Sequence, residues 1–378
     1  MIHLAVVLHL YQPPDCSDEM LDQVVGKCYR PLLSSLEAHG DRRISLNLNW
    51  SMTERLLESR HHDIVEDIRV VVEREQVELT GSAAYHPILP LIPPDEIRRQ
   101  IMLNAERHRD VFPTWVPRGF FPPELAFGHE LPPVLVDLGY RWCLAEDVPY
   151  TCINDTPPFN FVPVCGELPV LLRSSLWSNR LRLAGRGHNA PRGHQLAAAL
   201  AEGVETWFGG RDGYLVVALE AEVFGHRIPG YLENLLEPFL AALESMQERI
   251  RLVHPSEIVA LFPHQASDIP PGSWLTTADD FWAGDFFPMW QSKYNQAHEL
   301  LWQLTDLAVH SVARLQEKLD RSLNSSTFWS ASSRTAELPE MTARGMRMLL
   351  DVIASADPDQ MSRALELMAR LDSLFEKQ

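Results

Sequence analysis

A short apolar run, a polar loop and a stretch of helical spacing follow one another about seven times over the first ~260 residues, and nothing else in the chain narrows its fold as far. The strand-like runs fall at 2–8, 44–48, 77–79, 118–121, 142–145, 170–172 and 215–219, and 252–253 ends the series. Helical spacing fills 18–39, 51–60, 62–75, 95–110 and 131–138. Strands joined through helices pair in parallel, and a sheet of this kind closes most simply into a barrel. Polar, histidine-bearing segments come directly after the strands, where such barrels carry their reactive groups. Beyond DIPPGSWL (268–275) the pattern becomes helical, at 295–323, at 339–354 and in a last stretch to about 375. Asp357 and Pro358 supply an N-cap and a first-turn proline for that last helix. The expected organisation is therefore α/β, with a barrel over 1–267 and an α-helical region over 268–378.

Charge and cysteine usage exclude several classes of partner. The formal charge of −18 repels phosphate backbones and anionic lipid surfaces, so a neutral substrate is expected, with no nucleic acid and no membrane. The five cysteines, at 16, 28, 143, 152 and 165, form no CxxC pair and their number is odd. That pattern fits reduced thiols and a cytoplasmic location. No apolar run approaches the ~18 residues of a membrane span. The opening stretch MIHLAVVLHLYQPP is interrupted by His3 and His9 and has no basic start, so it reads as a first buried strand and not as a signal peptide.

Four strand ends carry unusual chemistry. HLYQPP (9–14) places His9 and Gln12 on a rim stiffened by two prolines. GSAAYHPILPLIP (81–93) places His86 between an aromatic residue and a proline. In GFFPPELAF (119–127), Glu124 follows two prolines and is flanked by Phe120, Phe121, Leu125 and Phe127. A carboxylate in such apolar, stiff surroundings is costly unless it has a partner or a task. In VVALEAEVFGHRIPG (216–230), Glu220 and Glu222 lie two apart at the end of an apolar strand, which puts them on one face, with Gly225 and His226 following. Carboxylates from two strand ends facing each other across a barrel mouth suit glycoside cleavage, in which one attacks the anomeric carbon and the other protonates the leaving oxygen.

In number, order and spacing these segments resemble glycoside hydrolase family 57, over nearly the whole chain. The family's His-Gln-Pro motif corresponds to His9 to Pro14, its Gly…His-Pro-x-Leu-Pro motif to Gly81 to Pro90, and its Asp-x-Glu-x-Phe-Gly-His motif to Glu220 to His226. GSWLTTADDFWAGDFFPMW (272–290) resembles its fifth region, and FWSAS (328–332) a motif of its helical part. The resemblance implies an incomplete (β/α)7 barrel with a helical region packed on the catalytic face. It also implies retaining action on α-glucans, as an amylase or 4-α-glucanotransferase, with no metal and no cofactor. Glu124 matches the family's nucleophile and Glu220 its general acid. His9, His86 and His226 would line the sugar subsite, with Gln12 beside them, Glu222 would orient its neighbours, and Trp274, Asp280 and Trp282 would reach in from the later region. Two positions depart from the pattern. Phe121 stands where the family usually has a Trp that stacks on substrate or packs, and Glu220 stands where it has Asp. The extra methylene displaces the acid by on the order of 1 Å, which can cost ~10²-fold in rate. A second reading follows from that substitution alone, namely an impaired relative that binds α-glucan or regulates glycogen metabolism. A metal-dependent deacetylase on a related barrel is disfavoured, because the adjacent His61 and His62 do not form the required ligand set.

Overall fold

In a computed structural model, which describes residues 1–184, 192–311, 316–335 and 339–375, the described residues contain ten strands. These are β1 (Ile2–Leu10), β2 (Ile44–Leu48), β3 (Val77–Thr80), β4 (Gly119–Phe120), β5 (Trp142–Glu146), β6 (Val162–Cys165), β7 (Leu168–Arg173), β8 (Gly213–Glu220), β9 (Ile250–Leu252) and β10 (His264–Ala266). Seven of them form a nearly closed parallel barrel in the order β1-β2-β3-β4-β5-β7-β8, wrapped by helices. β1 is its centre. It pairs with β8 from Ile2↔Gly213 to His9↔Glu220, and on its other edge with β9 and then β2. β1 and β8 are buried almost throughout, because a barrel strand meets the core on one face and a helix on the other. Their sequences are therefore apolar on both faces, apart from His3, His9 and the terminal Glu220, instead of alternating.

Two joints of the barrel are narrow. β7 meets β8 through the single pair Arg173↔Val216, and β3 meets β4 through the Gly81↔Phe120 bridge. Gly119 lets β4 lie close against β5, where its register partner is Trp142. A Cβ there would lie 1.9 Å from the Trp142 ring. β6 and β10 were not expected from the sequence. They form a short flap, β6 antiparallel to β7 and β10 parallel to β6, and His264–Ala266 is exposed and without an apolar pattern.

The helical region does not stand apart from the barrel. One apolar cluster runs from Ala5 and Val7 of β1 through Phe120, Phe121 and Leu144 to Leu300, Leu301, Leu349 and Leu371. The expected stretch 295–323 is described as the helices Gln296–Ser311 and Gln316–Ser322, with 312–315 outside the described residues. Pro339–Ala356 is helical, and Met361–Phe375 follows a short turn at Pro358–Gln360. Asp357 precedes that turn but makes no side-chain capping bond, which corrects the expected cap. Among the described residues no helix is long and apolar enough to cross a membrane.

Candidate active site

Glu124 owes its position to its local sequence. β4 ends at Phe120, and Pro122 and Pro123 fix the next turn, closed by bonds from Leu125 N to Pro122 O and from Ala126 N to Pro123 O. Glu124 and Leu125 take φ of 58° and 49°, in the left-handed region that non-glycine residues rarely occupy. His86 (φ 60°) and Leu275 (φ 69°) do the same, so four of the six such residues in the described structure gather here. Clustered strain of this kind is held in place by its surroundings and marks sites where a fixed geometry is needed.

Those surroundings come from the helical side. Phe127 and Gly272 pair through bonds in both directions, and Trp274 N donates to Glu124 O. This stitch aims the indole, whose Nε1–H donates to Glu124 Oε2 at 2.6 Å. Ser325 N donates to His86 O, which brings Ser325 Oγ to 2.7 Å from Glu124 Oε1 and 2.9 Å from His86 Nδ1. Burial pushes the Glu124 carboxyl up to about 7, with nearby Glu220 adding to it, against the bonds from Ser325 and Trp274 and the charge of Arg227. Behind it, His86 Nε2 lies 3.1 Å from His9 Nε2, and His9 Nδ1 lies 2.6 Å from Asn47 Oδ1. Tyr11 stacks on His86 with ring centres 3.8 Å apart and reaches Ser326 Oγ at 3.0 Å.

Glu220 ends β8 and pairs with Arg227 at 2.8 Å. Glu222 does not share its strand face as expected. The strand stops at Glu220, and the turn Ala221–Val223 carries Glu222 into the interior, where it accepts from Tyr29 OH and, at 3.0 Å, from Tyr11 N. Burial raises its affinity for a proton.

These groups open onto a cavity of about 650 Å³, within the range that holds a small ligand. Of the residues expected at the site, it is lined by His9, Gln12, Glu124, Glu220, Glu222 and Trp274. The other five stand elsewhere. His86 is fully buried behind His9. Phe121 is also fully buried, stacked under His9 and edge-on to Trp274, so it packs the site instead of meeting a ligand. His226 is half-buried off the lining, and its Nδ1 has no partner. Asp280 turns to Arg334 and caps its own helix at Thr277. Trp282 is 68% exposed.

Sequence reasoning missed Arg227, Glu146, Arg173, Ser325 and Asn47. Arg227 sits inside the fourth segment, where the carboxylates drew attention. Glu146 and Arg173 are register partners on β5 and β7, paired at 2.9 Å in the cavity wall. Burial raises the affinity of Glu146 for a proton, against the pull of Arg173. A buried carboxyl at a strand end was the available signal. Ser325 lies just ahead of FWSAS, in a segment that only the fold brings to Glu124. Among the described residues no group of three or more His, Cys, Asp or Glu could hold a metal ion.

The model for glycosyl hydrolase family 57 matches residues 7–270. Alpha-amylase 1 of Dictyoglomus thermophilum is 24% identical over 153 residues, 40% of this chain and 22% of that protein. The chain thus matches about a fifth of the length of this curated relative. Among solved structures, 4-alpha-glucanotransferase of Thermococcus litoralis superposes with a TM-score of 0.72 at 16% identity, covering 94% of this chain and 60% of the other. The family 57 branching enzyme of Pyrococcus horikoshii gives 0.70 at 16% identity, covering 98% and 94%. At these identities the structures speak for a shared fold.

Proposed function

Because the chain belongs to glycosyl hydrolase family 57, we propose that it is a retaining enzyme of α-glucans, a hydrolase or 4-α-glucanotransferase, with Glu124 as nucleophile and Glu220 as general acid and base. The observation that carries this reading is Glu124 itself. It is a carboxyl on a strained turn, 9% exposed, with two donors aimed at its two oxygens and its face open to the cavity. In the first step a Glu124 oxygen bonds to the anomeric carbon, the glycosidic C–O bond breaks, and the leaving oxygen takes the proton of Glu220. In the second, Glu220 removes a proton from water or a sugar hydroxyl, whose oxygen displaces Glu124 with overall retention. Trp274 and Ser325 steady the carboxylate for attack. The first step requires Glu124 ionised and Glu220 protonated, so Glu124 gives its proton to solvent and Glu220 takes one from solvent in place of its contact with Arg227. An α-glucan or maltooligosaccharide fits the charge and the lining, since both favour a neutral, hydroxyl-rich ligand.

The test is turnover of maltooligosaccharides. The wild type is expected to release or transfer glucosyl units. Glu124→Gln, with far-ultraviolet circular dichroism unchanged, is expected to fall by ~10³-fold or more. Equal rates would remove Glu124 from the mechanism. Binding without any turnover by the wild type would favour the impaired relative.

A further inference from the structure

Asn47, His9, His86, Ser325 and Glu124 are joined end to end by contacts of 2.6, 3.1, 2.9 and 2.7 Å. All five are buried. A neutral imidazole has one N–H and a hydroxyl one O–H, so each middle group that donates on one side accepts on the other. Both rings are neutral at ordinary pH. Burial pushes His9 down to about 4, and burial, with His9 adding to it, holds His86 well below the usual histidine range. The direction of the chain at one end therefore fixes its direction at the other.

The Asn47 end is anchored. Its amide nitrogen faces Thr80 Oγ1 at 2.9 Å and the carbonyl oxygen of Gly81 at 3.5 Å, and a carbonyl only accepts. Asn47 Oδ1 is then the acceptor for His9 Nδ1–H. His9 Nε2 accepts from His86 Nε2–H, and His86 Nδ1 accepts from Ser325 O–H. The single proton of Ser325 is now used, and its oxygen accepts a proton carried by Glu124. Ionising Glu124 reverses every link. Ser325 donates to the carboxylate, His86 donates from Nδ1, His9 donates from Nε2, and the Asn47 amide turns over at the expense of its contact with the Gly81 carbonyl, so the anchor favours the protonated form of Glu124. One proton leaves to solvent, and each ring changes tautomer without changing charge.

We infer that Asn47, His9, His86 and Ser325 form one relay whose direction is tied to whether Glu124 carries its proton, and that Asn47, which does not line the cavity, is a positioning residue for the nucleophile. The inference rests on the proposed role of Glu124 for its kinetic arm only. The charged and titratable groups facing the relay are Glu220 and Arg227 from the β8 end, which act on both Glu124 and His9, and Tyr11 after β1. Trp274 faces Glu124 from the helical side as an uncharged donor.

The first test uses the wild-type protein with ¹⁵N-labelled histidine rings, titrated without substrate. Below the midpoint of Glu124, His9 is expected as the Nδ1–H tautomer and His86 as Nε2–H. Above it both are expected to switch together, and Glu124→Gln abolishes the switch. Tautomers that stay fixed across the titration would overturn the relay. The second test is the acid limb of kcat/KM. Asn47→Leu releases the anchor and is expected to move that limb about half a pH unit lower, a fraction of a hydrogen bond to a charged group. Asn47→Gln is expected to fall between this variant and the wild type. A limb that does not move would overturn the role of Asn47. If Asn47→Leu does not fold, the ring titration alone decides. Absence of turnover by the wild type would count against the proposed function and leave the titration to judge the relay.

Discussion

At the scale of the residue, Glu124 is held against its own preferences. Its φ of 58° costs on the order of 1–3 kcal/mol, and its burial disfavours the charge a nucleophile needs. The displacement of its titration from 4.5 to about 7 has a consequence for stability whose sign is fixed. Between pH 4.5 and 7 the unfolded chain has released this proton and the folded chain still holds it, so stability falls as pH rises through that window. The loss from this one group is about 3 kcal/mol, complete above pH 7 and absent below pH 4.5. Glu124→Gln is expected to flatten that part of the stability curve, measured by denaturant unfolding at several pH values. An unchanged slope would mean that the carboxyl is not held in its protonated form.

At the scale of the element, the site depends on how separate pieces are stitched together. The Phe127–Gly272 pairing and the Ser325 N to His86 O bond bring donors from the helical region to a barrel carboxylate. The Trp274 bond favours the ionised form of Glu124. Trp274→Phe keeps the packing and loses the bond, so the acid limb of kcat/KM is expected to rise by about one pH unit. A limb that stays in place would show that the indole does not hold the nucleophile. The β4–β5 joint needs the bare Gly119 against Trp142, and Gly119→Ala is expected to destabilise by about 3 kcal/mol in chemical denaturation. A change near zero would place the joint elsewhere. The same contrast explains what could be read beforehand. β1, β5 and β8 were legible because continuous burial leaves largely apolar runs, β2 by its alternating Ile44, Leu46 and Leu48, and Glu124 because two prolines and four apolar neighbours isolate it. His86 was placed on the sugar, and Phe121 at a position that stacks on substrate or packs, and both are fully buried. A strand-end position shows which mouth a residue belongs to, but not whether its ring faces the ligand or supports a neighbour. Ser325 and Asn47 were not legible at all, since their meaning lies in partners 201 and 38 residues away.

At the scale of the whole molecule, the barrel and the helical region share one apolar core, and the cavity lies where they meet. Its lining draws on β1, β5, β7 and β8 and on the segments around Trp274 and Ser326. A chain with a net charge of −18 and a lining of paired acids and arginines presents a hydrogen-bonding enclosure suited to an uncharged polyol. The central claim is that the first carboxylate of this enclosure to act is Glu124, through a covalent bond. It is tested most directly by incubating the protein with a slowly released, activated fluorosugar of maltose, followed by peptide mass spectrometry. The expected result is one glycosyl adduct on a peptide containing Glu124. An adduct confined to another carboxylate, or an inverted product with no adduct while turnover proceeds, would contradict it.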